Sequence, residues 1–141
     1  MVACTTHALQ DKHTRDHMNN YMHLAGRILL AIIFVLSGFG KLGNPAGTAG
    51  YMQAMGVPTI LLWPTVALEL LGGIAIVIGF QTRWVALALA AFSVISAAIF
   101  HSNFADQMQM IHFLKNLAIA GGFLLLASTG ATALSIDSRK K

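Results

Sequence analysis

Glu69 is the only glutamate in a chain of 141 residues, and it sits inside an apolar run, ILLWPTVALELLGGIAIVIGF, at residues 60–80. An ionisable group in such a setting is expensive and usually faces a protein interior, meets a partner and marks function. Two lysines are within range: Lys115, near the start of the apolar run at 111–129, and Lys41, just past the run at 24–40. Helix rise puts Glu69 and Lys115 within reach of each other, so this pair is expected first, with Lys41 as the second candidate. His101, His112 and Asn116 add hydrogen-bonding groups near the same end. Together Lys41, Glu69, His101, His112, Lys115 and Asn116 form the expected polar cluster. His101 and His112 flank a loop and are read as hydrogen-bonding groups; no metal site is expected.

Helical spacing gathers these residues onto faces. His112, Lys115, Asn116 and Ile119 fall at i, i+3, i+4 and i+7, while Glu69 shares a face with Thr65, Gly72, Gly73 and Ile76. Arg27, Ala31, Phe34, Gly38 and Lys41 form a stripe along the first run. Glycines beside charges permit close helix approach within a bilayer. Two uses of the cluster stay open. It binds a small ligand, or its charges pair only to fix helix register.

The elements that carry the cluster are legible from composition. The chain is 56% hydrophobic and 10% charged, far below the roughly 25% charged residues of a soluble domain. Four apolar runs, at 24–40, 60–80, 84–100 and 111–129, each approach the ~20 residues that cross a bilayer as a helix. The fold class is therefore an all-α membrane protein, a four-transmembrane-helix bundle filling residues 24–130. Pro64 lies in the first turn or so of the second span, where it costs little. The third span carries Ala86, Ala90, Ala91, Ala97 and Ala98, read as an exposed small-residue stripe that would permit a homo-oligomer. The segment between the first two spans, with Tyr51, Met52 and Met55, suits a short interfacial helix or a connector, and less readily a lid.

Seven of the nine Lys and Arg residues fall on one face of such a bundle, leaving Lys41 and Lys115 on the other. The excess of positive charge places both termini in the cytoplasm. Arg27 and Arg83 are read as structural or interfacial charges, Arg27 being able to snorkel to the headgroups. Residues 1–23 read as a disordered polar tail that holds Cys4, His7, His13, His17 and His23; His13 and His17 have the i,i+4 spacing of a metal pair, but scattered histidines are the plainer reading. Residues 131–141 read as a basic tail that anchors to anionic lipid. A single cysteine excludes an intramolecular disulfide relay. No nucleic-acid partner is expected.

From Arg27 to Asp137 the chain resembles the DoxX family of small bacterial membrane proteins. The features run in order: GRILLAIIFVLSGFGKL with Arg27, Phe34, Gly38 and Lys41; GYMQAMGVP at 50–58; ELLGG at 69–73; GFQTR at 79–83; FLKN at 113–116 with Gly121 and Gly122; and LSID at 134–137. The resemblance implies four helices in the bacterial inner membrane and a link to quinone or redox-stress chemistry. It carries over Arg27, Lys41, Glu69, Arg83, Lys115 and Asn116 as family positions. No self-contained catalytic motif is present, so an enzymatic role would be that of a quinone-linked oxidoreductase subunit. The expected function is an accessory or small-ligand-binding membrane subunit; no cofactor is evident from the residues, the resemblance allows a quinone, and a membrane or peripheral redox protein would be the partner. The alternatives are a carrier or export helper for a small anionic or aromatic compound, and a purely structural membrane partner.

Overall fold

A computed structural model describes the backbone of residues 2–140 and the side chains of residues 14–139. Among the described residues there are five α-helices and no strand: α1 (Val2–Gly43), α2 (Pro45–Ala54), α3 (Leu62–Ile78), α4 (Thr82–Phe100) and α5 (Gln107–Thr129). Single 3-10 turns at Thr59–Leu61 and Asp137–Lys140 complete the secondary structure. Among the described residues, four segments are long and apolar enough to cross a membrane: Thr14–Gly43, Thr59–Ile78, Thr82–Phe100 and Gln107–Thr129.

Residues 14–23, expected to be disordered, instead continue α1. The physical reason is simple: no glycine or proline interrupts residues 2–25, so a helix nucleated in the apolar run propagates backward. Cys4, His7 and the His13–His17 pairing fall at least partly outside the described side chains.

Each turn has a local cause. Asn44 caps α2 by accepting a hydrogen bond from the Gly47 N–H at 2.9 Å, with Pro45 in the first position, a favoured start for a helix. α3 ends at Gly79, whose φ of 71° lies in the left-handed region that glycine adopts without penalty. Asp106 caps α5 by accepting from the Met108 N–H at 2.8 Å.

The helices pack mainly as two pairs, α1 on α3 and α4 on α5, with α3 joining α4. Ala31, Phe34, Ile76, Leu89 and Phe123 form the centre of the core. Phe34 meets Phe123 edge-on at 5.4 Å, a favoured aromatic arrangement. Glycine sets the α1–α3 distance: a Cβ on Gly73 would lie 2.7 Å from Val35 Cγ2, and one on Gly38 would lie 2.6 Å from Leu70 Cγ. Ala86, Ala90 and Ala97 are buried, while Ala91 and Ala98 are exposed. The exposed alanine stripe expected for oligomer contacts is thus split, because three of its five members are used within the bundle. Large apolar side chains lie outside, among them Leu29, Leu71 and Leu125 at about 70% exposure. That is the surface a bilayer requires.

The C-terminal segment folds back. The Ile136 and Asp137 N–H groups donate to the Ile78 and Gly79 carbonyls at 3.1 and 2.9 Å. The two Asp137 carboxylate oxygens accept from the Gln81 and Thr82 N–H groups at 2.9 Å each. Residues 134–137 are therefore a clasp across the α3–α4 turn, where a free polar tail was expected. The start of α4 offers unpaired N–H groups, and a carboxylate satisfies them well.

Candidate functional site

α1 places Ser37 and Lys41 one turn apart on the face that meets α3. A Cβ at Gly38 would lie 3.4 Å from Glu69 Cβ, so Glu69 sits level with Gly38 and about one turn below Lys41. Helical side chains lean toward the N-terminus of their own helix. α1 and α3 are antiparallel, so Lys41 and Glu69 lean toward each other and close that gap. Lys41 Nζ donates to Glu69 Oε1 at 2.9 Å, to Glu69 Oε2 at 2.8 Å and to Ser37 Oγ at 2.6 Å. Ser37 Oγ in turn donates to Glu69 Oε1 at 3.2 Å. The Glu69 side chain is 4% exposed and that of Lys41 22%.

Lys115 does not take part. It is exposed, and α5 lies chiefly against α4. α5 also runs parallel to α3, so its side chains lean in the same direction as Glu69 and do not converge on it. Lys41 thus takes the place expected for Lys115.

The pair forms part of the wall of an open cavity of about 870 Å³ lined by residues from all five helices. His101 and Asn116 also line it, with Phe34, Phe92, Phe100 and Ile119 among the apolar residues. α2 closes over one side. Met52 is buried against Leu62 and Val66, and the Tyr51 ring stacks on Phe100 at 5.4 Å. The amphipathic segment is therefore a wall of the cavity, held by contacts to α3 and α4, and more than a connector.

His101 and His112 stack with ring centroids 5.1 Å apart. His101 Nδ1 is 2.8 Å from Gln109 Oε1; with the imidazole N–H donating there, Nε2 is an acceptor. Asn116 Nδ2 donates to the His112 carbonyl at 3.0 Å, which leaves its second amide proton for another acceptor. His112 is outside the cavity lining. Among the described residues, no three His, Cys, Asp or Glu side chains are grouped as a metal site would require.

Arg27 lies at the opposite end of the bundle. It is 1% exposed, and its Nη2 donates to the Leu134 carbonyl. A Cβ on Gly79 would overlap its Nη1. Snorkelling to the headgroups, expected from sequence, is replaced by burial under the returning C-terminal segment. Two polar contacts were not expected from the sequence, those of Ser37 and Asp137. Ser37 was detectable, since it precedes Lys41 by one turn on the same face. Asp137 caps a helix more than fifty residues away, and no local pattern announces such a contact.

Comparison with known proteins matches residues 22–102 to the DoxX family model, from the middle of α1 to the end of α4. The chain is 52% identical over 114 residues to the inner membrane protein YqjF of Escherichia coli (strain K12), covering 81% of this chain and 88% of that protein. It is 39% identical over 123 residues to the inner membrane protein YphA of the same organism, covering 82% and 88%. It is 31% identical over 111 residues to CatD of Bacillus subtilis (strain 168), whose name assigns it only provisionally as an oxidoreductase, covering 79% and 81%. No solved structure matches the chain. With a family model spanning more than half of the sequence and relatives matched over most of their length, the chain belongs to the DoxX family.

Proposed function

We propose that this protein is a multi-pass component of the bacterial inner membrane, with both termini cytoplasmic, that binds an uncharged quinone-like ligand and presents it to a redox partner. The observation that carries the reading is the buried Glu69, paired with Lys41, in the wall of an otherwise largely apolar cavity of about 870 Å³. That volume is within the ~300–1,000 Å³ of small-molecule sites. A quinone supplies reversible two-electron, two-proton chemistry and needs apolar walls for its ring and donors for its carbonyl oxygens. The free amide proton of Asn116 suits such an oxygen, and the His101 imidazole and Glu69 suit the hydroxyls of the reduced form. The inner membrane location is supported by the names of the two Escherichia coli relatives, and the redox link by that of CatD.

The ion pair favours an uncharged ligand. Lys41 directs its ammonium protons to Glu69 and Ser37, so the pair is close to neutral toward a third group. An anion in the cavity would approach the Glu69 carboxylate at short range and low dielectric. A carrier that draws an anion with Lys41 and Lys115 has less support, since Lys115 is outside the cavity lining.

Titration of the purified protein with a short-chain benzoquinone, read by thermal stability in mild detergent, tests the reading. A saturable rise in stability is expected for wild type, abolished by Ser96→Phe, which places a ring in the cavity. A short-chain carboxylate that stabilises the protein where the benzoquinone does not would contradict it and favour the carrier.

A further inference from the structure

A second cavity, of about 510 Å³, lies at the Arg27 end, between the first turn of α4, the end of α5 and the returning C-terminal segment. Arg83 and Trp84 are on its wall, with Thr82, Thr132 and Asp137. Arg83 lies across Gly130. A Cβ there would come within 3.1 Å of Arg83 Nε, and the φ of +72° suits glycine alone, so the missing side chain leaves a trough for the guanidinium. Arg83 has no hydrogen bond or ion pair among the described residues, a position unlike that of Arg27 or Lys41. The hydroxyl oxygens of Thr82 and Thr132 are buried and also without a hydrogen-bond partner. Thr82 is fully buried.

Three unused polar groups beside one cavity call for a ligand rich in acceptors. A planar guanidinium fork flanked by hydroxyls matches the oxygens of a phosphate. Asp137, the one acid in the wall, does not oppose this. Both of its oxygens accept backbone N–H groups of the α3–α4 turn, and Arg27 faces it electrostatically. The level of the cavity identifies the source of the phosphate. α4 begins at Thr82 and α5 ends at Thr129, so the cavity sits where two spans leave the bilayer. Trp84, 72% exposed, is the residue type that settles among headgroups. Basic pockets between membrane helices at this level take phospholipid heads.

We propose that the cavity bounded by Arg83, Thr82, Thr132 and Gly130 binds the phosphate of a membrane phospholipid and so ties the C-terminal clasp to one leaflet. The test is native mass spectrometry of the full chain in mild detergent, with added phosphatidylglycerol in one arm and inorganic phosphate in the other. Wild type is expected to retain one lipid molecule. Arg83→Gln should lower occupancy about fivefold, the effect of one basic residue at a membrane surface, and Thr132→Val, which keeps the shape and removes the hydroxyl, should lower it further. Lys115→Gln, an exposed basic residue at the opposite end of the bundle, should leave occupancy unchanged. Equal lipid retention by wild type, Arg83→Gln and Thr132→Val would overturn the proposal. So would inorganic phosphate that displaces the lipid at millimolar concentration, which would assign the cavity to a soluble phosphate compound.

Discussion

Lys41, Ser37 and Glu69 form a small closed network in which every strong donor of the lysine meets an oxygen. Removing Lys41 leaves the buried Glu69 carboxylate uncompensated, which costs roughly 3–5 kcal/mol, whereas replacing both by apolar residues is often neutral. Lys41, 22% exposed, loses less when Glu69 is removed. Lys41→Met is expected to lower thermal stability in detergent strongly, Glu69→Leu less, and the double variant to recover most of the Lys41→Met loss. Lys115→Met is expected to change stability little, since Lys115 is exposed. Equal losses for Lys41→Met and Lys115→Met would contradict the pairing. Glu69 was legible as the cluster's centre because a lone carboxylate in an apolar run is conspicuous. Its partner was not legible, because depth along a helix is only half of the geometry. The lean of each side chain depends on helix direction, and the neighbours of each helix depend on the packing.

Glycines and caps decide how the elements meet. Gly73 on α3 faces Val35 on α1 so closely that a methyl group cannot be added without movement. Gly73→Ala is expected to cost about 1–3 kcal/mol, the usual range for overpacking, and Val35→Ala in the same chain to return part of it. A Gly73→Ala protein as stable as wild type would show that α1 and α3 approach less closely. Asp137 supplies the missing acceptors at the start of α4. Asp137→Ala should destabilise by roughly 0.5–2 kcal/mol, as loss of a helix cap does, and Asp137→Asn by less. Spans and turns were legible in the sequence through apolar runs, Gly79, Gly130 and Asn44. The clasp was not, since its bonds join residues far apart in the chain and its composition matches that of a free polar tail.

At the scale of the whole molecule, the apolar exterior and the two differing ends define what the protein can do. One end holds the Lys41–Glu69 cavity; the other holds Arg27, Arg83 and the clasp. The charge excess predicts that the second end is cytoplasmic. In a Cys4→Ser background, Ser138→Cys is expected to resist a membrane-impermeant thiol reagent in intact cells and to react after permeabilisation, while a cysteine replacing Asn103, in the exposed α4–α5 connection, should react in both. The reverse pattern would invert the orientation and place the Lys41–Glu69 cavity toward the cytoplasm.

The central claim is that the cavity beside the Lys41–Glu69 pair holds a small uncharged ligand. Mass spectrometry of compounds that co-purify with the protein in mild detergent addresses it most directly, with the Ser96→Phe variant, which places a ring in the cavity and keeps the ion pair, as the reference. A quinone or similar aromatic compound present with wild type at near one per chain, and absent with Ser96→Phe, is the predicted result. The same compounds in equal amounts with both proteins, each equally stable, would contradict it.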